Sequence, residues 1–329
     1  MIPLEANRAH YKQSVEARSA PAARGHVNRQ QPLASNGMRQ ILYIANMRLP
    51  SERAHSVHVM EMCAALATAR PVKVSLIVPT RKTDISVENV YHYYGVPDRI
   101  FPIISRPSLD LFPYSWIPRR IAYYIHAVSF AHSVWRYANK QYPDALILSR
   151  DLLSAWLLSF RHTVAFEVHD LPGKNSLSRW LLRQIPYVIT TNKLKKERLM
   201  KDFGIASVKI LVAPNAVDTR KFLPSGKGVT PELAAKGWPM GRRVALYTGS
   251  LLPWKGVSTL ARAAKFLPED FAVVVVGGNV EDQTKLRELV AAEGISERVV
   301  VFPHVPHSSV PEFFAAADVL VLPTSGKGQ

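Results

Sequence analysis

From Ile41 onward, hydrophobic and polar positions fall into short apolar runs separated by longer stretches with a helical period. The runs "ILYIAN", "VKVSLIV", "IFPII", "ALILS", "TVAFEV", "YVIT" and "KILVA" predict seven strands. Their apolar character is continuous rather than alternating, as in parallel strands covered on both faces. Behind the first run, Val59, Met62, Cys63 and Leu66 share one stripe, the buried face of a crossover helix. Farther along, "YSWIPRRIAYYIHAVSFAHSVWRYANKQY" places Ile121, Ile125, Val128, His132 and Trp135 on one side. That spacing predicts a long core helix, with an aromatic, Arg-rich flank as the alternative contact face toward lipid headgroups.

The pattern breaks between Asn215 and Arg243, where Gly, Pro and scattered charge indicate a domain connection. A second series follows, with strands at "VALYTG", "FAVVVVGG", "RVVVF" and "DVLVLPT" alternating with helical patterns. The expected class is therefore α/β, with two Rossmann-like, doubly wound domains in tandem. The first is expected over residues 38–215, the connection over 216–243 and the second over 244–329. With four strand candidates, the second domain has fewer than the usual five or six and is expected to be incomplete. Residues 1–37 are polar, basic and without sustained period, which predicts a disordered leader ahead of Met38.

Composition narrows the chemistry. A length of 329 residues suits two domains, and 47% hydrophobic residues supply sizeable cores. No apolar run reaches the ~18 residues of a membrane span, and no secretory pattern opens the chain. The single cysteine, Cys63, fits a reducing cytoplasmic setting and a core role. His55 and His58 stand three apart with no carboxylate beside them, so no metal site is expected. The net charge of +17 favours anionic partners: phosphates, an acidic membrane face or nucleic acid. Nucleic acid is disfavoured, because the aromatics fall mainly on predicted core stripes.

The stretch "YTGSLLPWKG" carries the most pointed chemistry. A buried strand ends at Gly249, a short loop follows through Ser250, and Lys255 and Gly256 precede the next helical pattern. Glycine lets a ligand approach the backbone, and a lysine before a helix start adds a point charge suited to a diphosphate. Gly277, after the next strand, is either a tight turn or a second close approach. Neither a G-x-G-x-x-G nor a Walker-type loop is present, which argues against a dinucleotide dehydrogenase and a P-loop NTPase. In the first domain, Glu167, His169 and Asp170 end a buried strand, either as reacting groups at the crevice or with His169 as a solvated loop histidine. The loop after the first strand carries Arg48, Arg53 and His55, either for an anion or as a wet loop capped by Ser56. Lys193, Lys195, Lys196, Arg198 and Lys201 predict a solvated basic helix face, or one attracted to anionic lipid.

Taken in order, "PSERAHSVHVMEMCAAL", "FEVHDLPG", "VAPNAVDTRKF", "YTGSLLPWKG", "VVVVGGN" and "FPHVPHSSVPEFFAAADVLVLPT" resemble a family-4 (group 1) glycosyltransferase of the GT-B fold. The resemblance covers Arg39 to Thr324. It implies two domains facing a central cleft and retaining, metal-independent transfer of a hexose from a nucleotide diphosphate sugar. The acceptor it implies is a glycan or lipid-linked molecule, reached from the cytoplasm at the inner membrane face, with no cofactor beyond the donor. By the same resemblance, Lys255 falls on the donor-diphosphate lysine and His169 on the crevice histidine beside the transferred sugar. Asn215 and Asp218 match the family's N-G-V-D turn, with Ala216 in place of Gly. His55 lies near the loop facing acceptor and donor phosphates.

Two departures from the pattern are visible. Ser250 stands where the family usually has an arginine paired with the lysine, so leaving-group stabilisation must lean on Lys255, helix N-termini or another base such as Arg53. The family's Glu-x7-Glu stretch does not occur before Gln329, and a charge-assisted hydrogen bond is worth about 1.5–3 kcal/mol. Impaired folding of the second half and weak turnover are therefore expected for the chain as written. The alternatives are a non-catalytic nucleotide-binding remnant, a nucleotide-sugar epimerase or a glycan phosphorylase on the same architecture.

Overall fold

In the computed structural model, residues 39–69, 72–83, 85–222 and 228–324 are described. The expected leader, residues 1–37, lies outside them. The first apolar run becomes β1 (Arg39–Ile44), and helix α1 (Ala54–Thr68) crosses over to β2 (Val72–Pro79). A short helix α2 (Val90–Tyr94) and β3 (Ile103–Arg106) follow. The chain then builds α3 (Arg119–Gln141), β4 (Leu146–Ser149), α4 (Leu152–Leu158) and β5 (Val164–Val168). Helix α5 (Ser176–Gln184), β6 (Tyr187–Thr190), α6 (Lys193–Phe203) and β7 (Ile210–Val212) complete this part.

These seven strands form one sheet in the order β3-β2-β1-β4-β5-β6-β7, every neighbouring pair parallel. Alternate side chains of β1 feed opposite layers. Leu42 and Ile44 join Phe130, Val134 and Leu182 on one face, while Tyr43 joins Val59, Met60 and Cys63 on the other. A sheet buried on both faces needs such continuous apolar strands. Strand order reverses between β1 and β4, so the carboxyl ends of these two strands border the natural crevice of the sheet.

The second sheet is built from β8 (Arg243–Thr248), β9 (Phe271–Val276), β10 (Val299–Phe302) and β11 (Val319–Leu320), in the order β10-β9-β8-β11, again parallel. Helices α7 (Pro231–Ala235), α8 (Val257–Ala263), α9 (Val280–Ala292) and α10 (Val310–Ala316) accompany it. Ala245 and Tyr247 pack with Leu260, Leu286 and Val290, and Val244 and Leu246 pack with Trp238, Phe302 and Phe313. Here the order reverses between β8 and β11, which sets the switch point at "TGSLLPWKG" and "LPT". At the sheet edge, the side chains of Val319 and Leu320 are exposed.

The carboxyl end of the second sheet meets that of the first. His304, just past β10, hydrogen-bonds through Nε2 to the Tyr93 hydroxyl at 3.0 Å. The neighbouring Tyr94 is anchored on the loop after β1, donating to the Ser51 carbonyl and accepting from the Ser51 N–H. All described residues belong to one compact unit.

Three sequence expectations are corrected. The buried face of α3 is Ala122, His126, Ala127, Phe130, Ala131, Val134 and Ala138, whereas Ile121, Val128 and His132 are exposed. Four alanines on that face let α3 pack closely on α4, while Phe130 and Val134 fill the core beneath the sheet. Ser56 does not cap α1. Arg53 occupies the N-cap without a side-chain bond, and the Ser56 hydroxyl donates to the Arg48 carbonyl at 3.4 Å. Lys195 and Lys196 leave the solvated face, reaching the backbone at His169 and Ile210 respectively.

Candidate active site

Glu167, the penultimate residue of β5, is the centre of the first-sheet cluster. Its side chain is 6% exposed. One carboxylate oxygen accepts from the Tyr43 hydroxyl of β1. The other accepts from His58 Nε2 of α1 at 2.9 Å and from His169 Nε2 just past β5. The two imidazoles meet edge to face, with centroids 4.4 Å apart. Burial raises the Glu167 pKa, but bonds from His169, His58 and Tyr43 and the nearby Arg150 charge outweigh it. The carboxyl is therefore held well below its usual range and is ionised. An ionised carboxylate takes Nε2–H from each ring, an arrangement in which Nδ1 is the acceptor of a neutral imidazole.

This arrangement corrects the expectation that His58 has no carboxylate company: Glu167 supplies it from 109 residues away. The ligand-type atoms of His58, Glu167 and His169 lie within 4.8 Å of one another, a donor set that a divalent metal also uses. Here those same nitrogens point their protons at the carboxylate, so metal binding would have to displace both bonds.

His55 sits one turn before His58. Burial, followed by the charges of Arg150, His169 and His58, lowers its pKa from 6.5 to about 4. His55 Nε2 and Arg150 Nη1 are buried without a hydrogen-bond partner. So is the hydroxyl of Thr190, paired in register with Val168 on the neighbouring strand. Buried polar atoms are almost always satisfied, and the His55 and Arg150 orphans, both electrostatically coupled to Glu167, mark a place for a polar ligand. Behind them, the Lys195 ammonium donates to the His169 carbonyl and to the Thr191 hydroxyl at 3.1 Å, fixing the backbone that carries His169.

In the second sheet, β8 ends at Thr248 and the chain turns through Gly249 and Ser250. Ser250 is exposed, and its carbonyl accepts from the Tyr247 hydroxyl at 2.6 Å. A single 3-10 turn, Pro253–Lys255, precedes α8. The Lys255 ammonium lies 4.3 Å from the centroid of the Trp254 ring, half-buried, with no ion pair to a carboxylate among the described residues. Gly256 has φ 71°, and a Cβ there would fall far inside contact distance of the Pro323 carbonyl. Gly277 has φ 120°, and its Cβ would meet the Gly249 carbonyl. These glycines thus let the ends of β8, β9 and β11 come together, and backbone packing by itself calls for glycine at 277. Gln283 holds the resulting turn, donating to the carbonyls of Gly277 at 3.1 Å and Gly278 at 2.9 Å.

The remaining sequence candidates are dispersed. Arg53 and Asp170 are exposed near the first cluster, and Asn215 is exposed beyond β7. Asp218 is gripped by Arg220 through two bonds of 2.9 Å, a pairing that lowers its pKa to about 2. No hydrogen bond or ion pair among the described residues joins the Lys255 group to the His169 group. They occupy the switch points of two sheets whose carboxyl ends meet at the junction. Sequence reasoning missed Tyr43, His58 and Arg150 as site residues. The His55–His58 helical spacing was a signal for one of them; Tyr43 looked like an ordinary strand residue and Arg150 like a residue of the loop after β4.

Two parallel, doubly wound α/β lobes with facing carboxyl edges and a polar cluster on each define the GT-B class of fold. The sequence pattern of Glycosyltransferase Family 4 matches residues 55–221, and that of Glycosyl transferases group 1 matches residues 230–328. The chain belongs to the group 1, family-4 glycosyltransferases. It is similar to D-inositol 3-phosphate glycosyltransferase of Xylanimonas cellulosilytica, 30% identical over 144 residues, covering 42% of this chain and 34% of the relative. It also resembles mannosylfructose-phosphate synthase of Agrobacterium fabrum, 26% identical over 43% of this chain and 33% of that protein. The chain thus matches about a third of the length of these curated relatives. Among solved structures, sucrose-phosphate synthase of Thermosynechococcus elongatus superposes with TM-score 0.63 at 18% identity, covering 87% of this chain and 75% of that one. Anabaena HepE, solved in complex with UDP and glucose, gives 0.58 at 16% identity over 85% and 73%. At these identities the solved structures speak to the fold alone.

Proposed function

We propose that the chain carries a retaining, metal-independent glycosyltransferase site that moves a hexose from a nucleotide diphosphate sugar to a glycan or lipid-linked acceptor. Its setting is the cytoplasm, at the inner face of the membrane. The single observation that supports this most is the half-buried Lys255 ammonium at the second-sheet switch point with no carboxylate partner among the described residues. A cation in that position is available to a departing diphosphate, where developing negative charge needs a preorganised partner. This reading assigns the diphosphate charge to Lys255 and adds no cofactor beyond the donor. Across the junction, His169 presents Nδ1 as an acceptor, suited to a sugar hydroxyl, while Glu167 fixes its tautomer and Lys195 its backbone. His55, Arg53 and Arg150 supply further polar contacts for phosphate or acceptor. The names of the relatives, a D-inositol 3-phosphate glycosyltransferase and a mannosylfructose-phosphate synthase, agree with sugar transfer.

Lys255→Ala tests the assignment. Titrating UDP, GDP and ADP into the full chain should identify a preferred nucleotide, and the variant should bind it roughly ten- to a hundredfold more weakly, the loss of a charge-assisted bond. Equal affinity of variant and parent, or no binding of any of the three, would reject the site. EDTA should leave binding unchanged.

A further inference from the structure

His58, Glu167 and His169 bring three ligand-type atoms within 4.8 Å of one another at the crevice end of the first sheet. Three separate pieces of the fold hold them. Helix α1 carries His58, strand β5 carries Glu167, and the turn just past β5 carries His169. Two imidazoles and a carboxylate are the donor set of three-ligand zinc sites, which keep a fourth position open. The shell behind them is built as well. The Tyr43 hydroxyl takes one Glu167 oxygen and leaves the other to face both rings. The Lys195 ammonium holds the His169 carbonyl, and so the backbone that carries that ring. Outer partners of this kind fix the direction of a ligand and raise its affinity for a metal.

The dimensions fit. A tetrahedral Zn²⁺ with bonds of about 2.0–2.1 Å spaces its ligand atoms about 3.3–3.4 Å apart. His58 Nε2 and Glu167 Oε1 stand 2.9 Å apart, so that edge has to open by about half an ångström. In the hydrogen-bonded arrangement each Nε2–H points at the carboxylate. Metal binding exchanges each of these hydrogen bonds for a coordinate bond. The proton of each ring moves to Nδ1 by exchange with water, so a neutral imidazole remains the ligand and no proton is lost.

A further nitrogen is at hand. His55, one turn before His58, has a buried Nε2 without a hydrogen-bond partner among the described residues. It is electrostatically coupled to His58, His169 and Glu167, which places it as the fourth ligand. Arg150 works against a cation here, since its charge reaches both His55 and Glu167. The carboxylate offsets that charge, and imidazole coordination supplies the rest of the affinity. That balance selects the ion. Zn²⁺ gains from two or three imidazoles, whereas Mg²⁺ and Ca²⁺ demand oxygen ligands.

We propose that His58, Glu167 and His169, joined by His55, form a binding site for Zn²⁺ that silences the crevice when filled. The ion takes no part in sugar transfer. His169 offers a sugar hydroxyl an acceptor at Nδ1; with Zn²⁺ on Nε2, that nitrogen carries the proton and becomes a donor. The silencing rests on the transferase reading, whereas the metal site rests on the geometry alone.

Calorimetric titration of ZnCl₂ into the full chain, treated with EDTA and desalted, separates the two because it is read without turnover. One equivalent of Zn²⁺ should bind at this site, and MgCl₂ should not. Co²⁺ in place of Zn²⁺ should give the visible ligand-field band of four-coordinate geometry. His58→Gln keeps a side-chain N–H for Glu167 but loses the ligand. It should weaken Zn²⁺ binding by more than the roughly 10–100-fold that outer partners contribute. Tyr43→Phe removes such a partner and should weaken binding roughly tenfold. His132→Gln, on the exposed face of α3, should change nothing. An unchanged thermal melt confirms the fold of each variant, and the Co²⁺ spectrum of the parent needs no variant at all. No binding by the parent, an equal response to MgCl₂, or parent-like affinity in His58→Gln would each overturn the site. Sugar transfer that continues with the site filled would overturn the silencing; transfer lost at one equivalent of Zn²⁺ and regained with EDTA would support it.

Discussion

Glu167 and His55 both feel the charge of Arg150, and burial shifts their pKa values in opposite directions. Glu167 stays charged because three donors and Arg150 overcome desolvation, and His55 stays neutral because burial and neighbouring cations discourage a second proton. Both effects make acid destabilising. The unfolded chain protonates His55 near 6.5 and the folded one only near 4, so the unfolded state binds more protons between these values. Stability from His55 is complete above about pH 6.5 and falls as pH drops toward 4; Glu167 adds a loss below its ordinary 4.5. After allowance for partial exposure, the His55 share is about 2 kcal/mol. His55→Asn should therefore flatten the fall in stability across that window while leaving the decline below it, as measured by denaturant midpoints from neutral to acid pH. An identical slope in the variant would mean that His55 titrates normally. The sequence showed His55 and His169 as candidates, because polar residues at strand ends and helix starts stand out. It did not show what binds them together. Tyr43 and Arg150 become site residues only through the β1–β4–β5 neighbourhood, which no local pattern encodes.

At the scale of elements, strand prediction worked where continuous apolar runs were the signal: each of the eleven runs overlaps a strand. Helix faces were less legible. The 3.6-residue period of α3 admits a bulky stripe and an alanine stripe, and close approach to α4 selects the alanines. Glycines marked the turns in the sequence as places for close approach, and in the structure their neighbours are other loops. Gly256 and Gly294 both have φ near +70°, at 71° and 65°, but only Gly256 faces a carbonyl, that of Pro323; around Gly294 nothing lies within 4 Å. Gly294→Ala should thus cost about 1 kcal/mol, the conformational penalty alone. Gly256→Ala should cost clearly more, about 3 kcal/mol or above, since the end of β11 must move as well. Urea denaturation of the two variants makes the comparison, and equal losses would show that the β8 and β11 ends are not in contact.

The whole molecule depends on how two lobes are held across a connection that sequence marked only as a break in pattern. A 3-10 turn at Thr219–Phe222 performs the task with two consecutive residues facing opposite ways. Lys221 reaches into the first lobe, donating to both Glu61 carboxylate oxygens at 2.7 and 2.9 Å and to the Gly95 carbonyl at 2.8 Å. Phe222 turns to the second lobe, its ring 5.5 Å from that of Phe314 and 6.4 Å from His307. His307 in turn bonds through Nδ1 to the Tyr94 carbonyl at 3.4 Å and lies 3.9 Å from Glu61. Glu61 is thus shared by the connection and the second lobe, and both ends of the Lys221 pair are largely shielded, with exposures of 27% and 28%. Because water screens it less than a surface pair, the clasp should be worth about 1–2 kcal/mol. Lys221→Met should lower the thermal midpoint and widen the solution scattering envelope, as the lobes lose a tether near their common edge. Reversing the pair with Lys221→Glu and Glu61→Lys should recover part of the loss in a double-mutant cycle, though the Gly95 carbonyl then lacks its donor. A coupling energy of zero would place the restraint in the Phe222 contacts instead and make the turn an apolar hinge rather than an ionic one.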